Sequence, residues 1–144
     1  MSLSKHLPTF LIATVVFVGI GVVASQLFNK GSDGATVSVK VPQLSMQASV
    51  GKVAFDATCA ACHGQNGSGT NKVGPPLVHD IYNPGHHADE AFSRAVRQGV
   101  PRHHWPYADM PAQPQVTDAQ LKNIVRYVRE LQQANGIFYK LHQM

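Results

Sequence analysis

The chain has 144 residues, enough for one domain and an appendage, with a formal net charge of +4 and 44% hydrophobic residues. A balance this mildly basic, without any Lys/Arg run, argues against a nucleic-acid partner. Only 2 cysteines and as many as 8 histidines leave little room for a disulfide framework and ample room for metal ligation.

Leu7 to Phe28 carries no charge. About 22 residues at about 1.5 Å each span the ~30 Å hydrocarbon core of a bilayer. The run exceeds the apolar region of a cleavable signal peptide, and residues 1–28 are expected to be an uncleaved membrane anchor. Cleavage at Val22-Val23-Ala24-Ser25 is the competing reading. Lys5 and Lys30 flank the run and do not fix its orientation. Residues 29–46 start rich in Gly, Ser and Thr and read as a tether, with a short extended piece at 36–41.

A mostly helical domain is expected over 47–136. Its first helix covers 48–62, with Val50, Val53, Ala54 and Ala57 at helical spacing. At its end stands Cys59-Ala60-Ala61-Cys62-His63. The spacing C-x-x-C-H reads as a c-type haem attachment site. Cys59 and Cys62 are placed to add to the two haem vinyl groups, and His63 to bind the iron. A thioredoxin-like pair calls for a βαβ pattern that is not visible. A structural zinc site calls for four ligands, and the chain has no second cysteine pair. One covalent haem c is therefore the expected cofactor. In bacteria such a haem is attached outside the cytoplasm, which implies a single-pass protein in the inner membrane with its haem domain in the periplasm.

Gly64-Gln65-Asn66-Gly67-Ser68-Gly69 is a loop. A second helix covers 88–98, with Asp89 and Glu90 in its first turn, Phe92, Ala95 and Val96 on one face, and Gly99 as its stop. The segment Arg102-His103-His104-Trp105-Pro106-Tyr107 is expected to line the haem edge. Arg102 suits a propionate charge, and Trp105 and Tyr107 combine apolar bodies with one donor each. The last helix covers 117–135, capped by Thr117 with Gln120 in a capping box. Leu121, Ile124, Val125, Val128 and Leu131 form its apolar stripe, and Gly136 ends it. The tail, 137–144, follows Gly136 and opens with Ile137-Phe138-Tyr139-Lys140-Leu141. It suits packing on its own domain or docking on a larger complex. His79, His86, His87, His103 and His104 read as loop histidines, with a second metal site as the alternative.

Together these segments resemble a small class I c-type cytochrome, all-α, with crossing N- and C-terminal helices and a haem enclosed by loops. Gly51-x-x-x-Phe55 matches the helix-crossing pattern, with Ile124 and Tyr127 at the packing positions of the last helix. Gly74-Pro75-Pro76-Leu77 matches the G-P-x-L segment, which implies that the Pro75 carbonyl accepts a hydrogen bond from His63 Nδ1. Met110-Pro111 matches the segment of the sixth ligand, which implies Met110 as the distal iron ligand. His103 or His104 in that role would give a bis-His haem. The resemblance implies no catalytic residue: the chain is expected to carry single electrons between redox proteins or to a membrane oxidoreductase complex, in a respiratory or photosynthetic chain. A fixed haem subunit of an oxidase or dehydrogenase is the second reading. A haem sensor or peroxidase-like enzyme, which needs an open axial site, is the third.

Overall fold

The computed structural model describes residues 36–71, 73–104 and 106–141. The chain divides into two compact units, Met1–Ser32 and Asp33–Met144. All described residues lie in the second, and the proposed anchor falls outside them. Among the described residues, no helix is long and apolar enough to cross a membrane. They hold four α-helices, and the only β pairing among them is two isolated bridges, Thr70 with Gly74 and Val100 with Met110. The all-α reading of the domain stands.

Helix α1 spans Met46–Thr58. The Ser45 hydroxyl accepts from the Ala48 N–H at 3.2 Å, satisfying one of the open donors of the first turn. The buried face is Ala48, Gly51 and Phe55. That corrects the phase expected from Val50 and Val53, which are 54% and 71% exposed. Small residues win the inner face because the last helix lies too close for branched side chains. The helix also breaks earlier than expected: Cys59 is its cap, and a separate turn, α2 (Ala60–His63), carries the rest of the motif.

Helix α3 spans Asp89–Gln98, buries Val96 and stops at Gly99. Helix α4 spans Asp118–Ala134 and opens with the expected capping box: Thr117 Oγ1 accepts from Gln120 N–H at 3.2 Å, and Gln120 Oε1 accepts from Thr117 N–H at 2.9 Å. The stripe of Leu121, Ile124, Val125, Val128 and Leu131 is buried as read, and Tyr127 joins it.

The α1–α4 crossing organises the core. A Cβ on Gly51 would stand 1.9 Å from the Asn123 carbonyl oxygen, so only glycine allows this approach. Four residues along α1, Phe55 meets Tyr127 edge to face, with ring centroids 5.5 Å apart. Burying two such rings contributes roughly 2–3 kcal/mol each.

Residues 36–45, read as part of the tether, lie against the domain instead. Val37 N–H donates to the Ser68 carbonyl at 2.8 Å. Lys40 N–H donates to Asn135 Oδ1 at 2.9 Å, and Asn135 Nδ2 returns a bond to the Lys40 carbonyl at 2.8 Å. Val37, Val39 and Leu44 pack on the core. Alternate apolar residues let an extended strand of chain bury one side, so this stretch is not free spacer. The tail docks too: Ile137 is buried and Lys140 pairs with Asp80 at 2.6 Å.

Ser45 also binds α4. Its N–H and hydroxyl donate to Glu130 at 2.9 and 2.7 Å, and Arg126 Nε donates to the same carboxylate at 2.6 Å. Burial alone would raise the Glu130 carboxyl; the bonds from Ser45 and Arg126 outweigh it and hold the carboxyl below its ordinary value of 4.5. A carboxyl depressed by folding stabilises the fold above its ordinary value and loses that stabilisation as pH falls through the folded one. Denaturant midpoints measured against pH should therefore drop below about pH 4.5 in the wild type. Glu130→Gln should be less stable at neutral pH and should lose part of that acid-side slope.

Candidate functional site

After His63 the backbone must turn sharply to bring the next segment under the ring. Gly69 N–H donates to the His63 carbonyl at 2.6 Å, and the Thr70 hydroxyl donates to the Cys62 carbonyl. Gly74 then passes so close that a Cβ there would lie 2.5 Å from the Cys62 carbonyl oxygen. This approach delivers Pro75, whose carbonyl accepts from His63 Nδ1 at 2.9 Å. A carbonyl only accepts, so Nδ1 carries the proton and Nε2 keeps the lone pair. Burial pushes the His63 pKa down, opposed by the bond to Pro75, and the ring is held neutral and ready to ligate.

His63 lines a cavity of about 400 Å³. Cys59 and Met110 line the same cavity, with Leu77, Val100 and Val128 among its apolar walls. Cys62 is exposed and does not line it. Burial, and after it the neighbouring Cys62, raises the Cys59 thiol to about 11. Met110 is fixed by two backbone bonds to Val100, each 2.9 Å. Of the expected edge residues, Arg102 and Tyr107 line the cavity. Tyr107 is buried, which raises its phenol. Trp105 lies outside the described residues. His103 and His104 also line the cavity, but His104 Nε2 faces His86 Nε2 at 3.3 Å.

A largely apolar cleft with a thiol, a tautomerically fixed imidazole and a thioether fits a flat macrocycle bearing an iron. Two arginines, Arg94 and Arg102, line the same cleft and suit its carboxylates.

Sequence reasoning missed what holds the cleft's outer wall. Arg129 and Gln132 are buried on α4. Arg129 donates to the Tyr82 carbonyl at 2.9 Å, to Gln132 Oε1 at 2.7 Å, to the His87 carbonyl and, through Nε, to Asp89 at 2.8 Å. Its guanidinium lies 4.9 Å from the Phe92 ring centroid. Gln132 Nε2 donates to the Leu77 and Tyr82 carbonyls at 2.9 and 3.1 Å. These bonds satisfy carbonyls of a segment without ladder partners. The signal was present: Arg129 and Gln132 interrupt an apolar stripe at helical spacing. On the other side, Tyr127 Oη donates to Asn66 at 2.8 Å and pins the loop after the motif. Burial, then the Asp56 charge, pushes that phenol up to about 12.

The sequence model of the family described as Cytochrome c matches residues 48–132. No curated protein matches the chain.

Replacing Arg129 by Met should leave the His87 carbonyl without its donor, the Tyr82 carbonyl with Gln132 alone, and Asp89 without its partner. Asp89 is 64% exposed, so the loss comes chiefly from the unmet carbonyl, about 1–3 kcal/mol. Hydrogen exchange of the haem-loaded protein should rise across 80–89 while the α1–α4 crossing stays protected.

Proposed function

The chain belongs to the cytochrome c family, and on that premise we propose that it is a membrane-anchored carrier of single electrons whose haem domain works on the periplasmic side of a bacterial inner membrane. The family's cofactor is covalently attached haem c, and Cys59-Ala60-Ala61-Cys62-His63 supplies the attachment motif. When bound, that group supplies a one-electron iron couple. The observation that carries the reading is the single cavity lined by Cys59, His63 and Met110.

Cys59 and Cys62 are the residues that would hold the group, each through a thioether bond from its sulfur. His63 donates through Nε2. Its Nδ1–H bond to Pro75 fixes the ring and raises its basicity. Met110, in the same cavity, would offer the iron a thioether sulfur beside the His63 nitrogen. A soft thioether favours ferrous iron, so the pair would set a comparatively high potential. An iron held by both residues would leave little room for a substrate, which supports electron transfer over peroxide or sensor chemistry. The engagement of His104 with His86 supports Met110 over a histidine in this role. Arg94 and Arg102 neutralise carboxylates at the rim. The uncharged run 7–28 supports the anchor and, with the haem motif, the periplasmic placement. The partners are redox proteins that dock where the cleft opens, with modest steering from a small net charge.

One observation favours a second reading, a fixed haem subunit of an oxidase or dehydrogenase complex. Beyond the buried Ile137, the tail leaves Phe138, Tyr139 and Leu141 57%, 65% and 78% exposed. Extraction in mild detergent separates the two: a carrier emerges alone, a subunit emerges with its complex.

Met110→Ala should abolish the far-red absorption band that marks a thioether–iron bond, lower the potential, and open the iron to cyanide or carbon monoxide. The double change Cys59→Ala with Cys62→Ala should leave no covalent haem on a denaturing gel. A Met110→Ala protein that keeps the wild-type six-coordinate spectrum would refute the ligand assignment.

A further inference from the structure

Four imidazoles gather at the wall of the haem cleft from two loops distant in sequence, His86 and His87 before α3 and His103 and His104 after it, and all but His86 line the cleft. One ring nitrogen from each of His86, His87 and His104 lies within 4.8 Å of the others. The ring centroids of His86 and His87 are 4.6 Å apart, those of His86 and His104 5.3 Å, and those of His87 and His104 5.4 Å. The His103 ring stands 4.2 Å from that of His104. The sequence reads these residues as loop histidines, with a second metal site as the alternative. Here the fold converges them.

The geometry suits a shared ligand. Two imidazole nitrogens bound to one tetrahedral ion at about 2.0–2.1 Å lie about 3.3–3.4 Å from each other. His86 Nε2 and His104 Nε2 are 3.3 Å apart. His87 Nδ1 donates to the Ile81 carbonyl at 2.7 Å, which leaves its Nε2 with the lone pair. A ring nitrogen tied to a backbone carbonyl is how ligating histidines are oriented, and His63 is held in the same way by Pro75. Arg129 holds the His87 carbonyl, so the backbone that carries two of the three rings is itself fixed. The set offers only neutral nitrogen donors, which suit zinc or cupric ions and not calcium or magnesium.

We propose that His86, His87 and His104 form a three-imidazole site for a divalent transition-metal ion, Zn²⁺ or Cu²⁺, in the wall of the haem cleft, with His103 or water completing the coordination. His87 and His104 line that cleft, so the site requires that neither of them binds the iron. A plain hydrogen bond between the His86 and His104 rings is the competing reading, and it requires neither His87 nor a metal.

The test uses the full haem-loaded chain, stripped of loose metal by a chelator and titrated with Zn²⁺ in a calorimeter. One Zn²⁺ per haem should bind, and His86→Ala and His104→Ala should each weaken binding by about 100-fold or more. No stoichiometric binding, or binding kept by either variant, would overturn the site. A measurement on the unaltered protein guards against a misfolded variant: the electron paramagnetic resonance of bound Cu²⁺ should show splitting from at least three nitrogens, and fewer would overturn the proposal. The far-red iron–thioether band should survive His104→Ala. Its loss would assign His104 to the iron and overturn both this site and the Met110 reading, whereas a band already lacking in the unaltered protein, with Zn²⁺ still bound, would sink the Met110 reading alone.

Discussion

Everything in this domain hangs on the contact between Gly51 and the Asn123 carbonyl. Two helix backbones touch there without a side chain between them. That closeness sets Phe55 against Tyr127, and Phe55 lies one turn before Cys59. It is also why the branched residues of α1 face outward: Val50 and Val53 would hold the helices apart. The chain gains a dense, small interface and leaves part of its apolar surface on the outside. The attachment motif is thus positioned by a contact about two helical turns before Cys59, between two residues that do not themselves line the cleft.

Helix α4 does a second task with its polar residues. Its apolar stripe seals the core, but Glu130, Arg129, Gln132 and Asn135 reach out to two stretches of irregular chain, 36–45 and 77–87. Glu130 takes Ser45, Arg129 and Gln132 take the carbonyls of 77–87, and Asn135 takes both polar atoms of the Lys40 peptide. Loops around a large prosthetic group cannot satisfy one another as strands do, so a helix supplies the missing partners. Burying a guanidinium is costly unless all its donors are used, and Arg129 bonds through Nε and both terminal nitrogens.

Much of this was legible in the sequence. The C-x-x-C-H spacing, the Gly74-Pro75 pair, the capping box of Thr117 and Gln120 and the stripe of α4 depend on local chemistry, and each appears as read. The Gly51-x-x-x-Phe55 pattern marked the buried face of α1, but hydrophobic spacing alone pointed elsewhere, because it ranks valine above glycine and alanine while a close crossing ranks them the other way. The extended stretch 36–45 was mistaken for spacer because its polar composition hides the alternation of Val37, Val39 and Leu44. The convergence of His86, His87 and His104 depends on two loops meeting in space, and no spacing along the chain encodes that.

The hydrogen bonds of residues 36–45 have a mechanical consequence. Any pull from the chain that precedes the domain meets Val37, Lys40 and Ser45 before it reaches α1. The load passes through Asn135 and Glu130 into α4, the helix that spans the core. Force of that kind shears several bonds together instead of peeling α1 from its end. Helix α1, which leads into Cys59, is thereby bypassed, while Val37 passes part of the load to the loop after the motif through the Ser68 carbonyl.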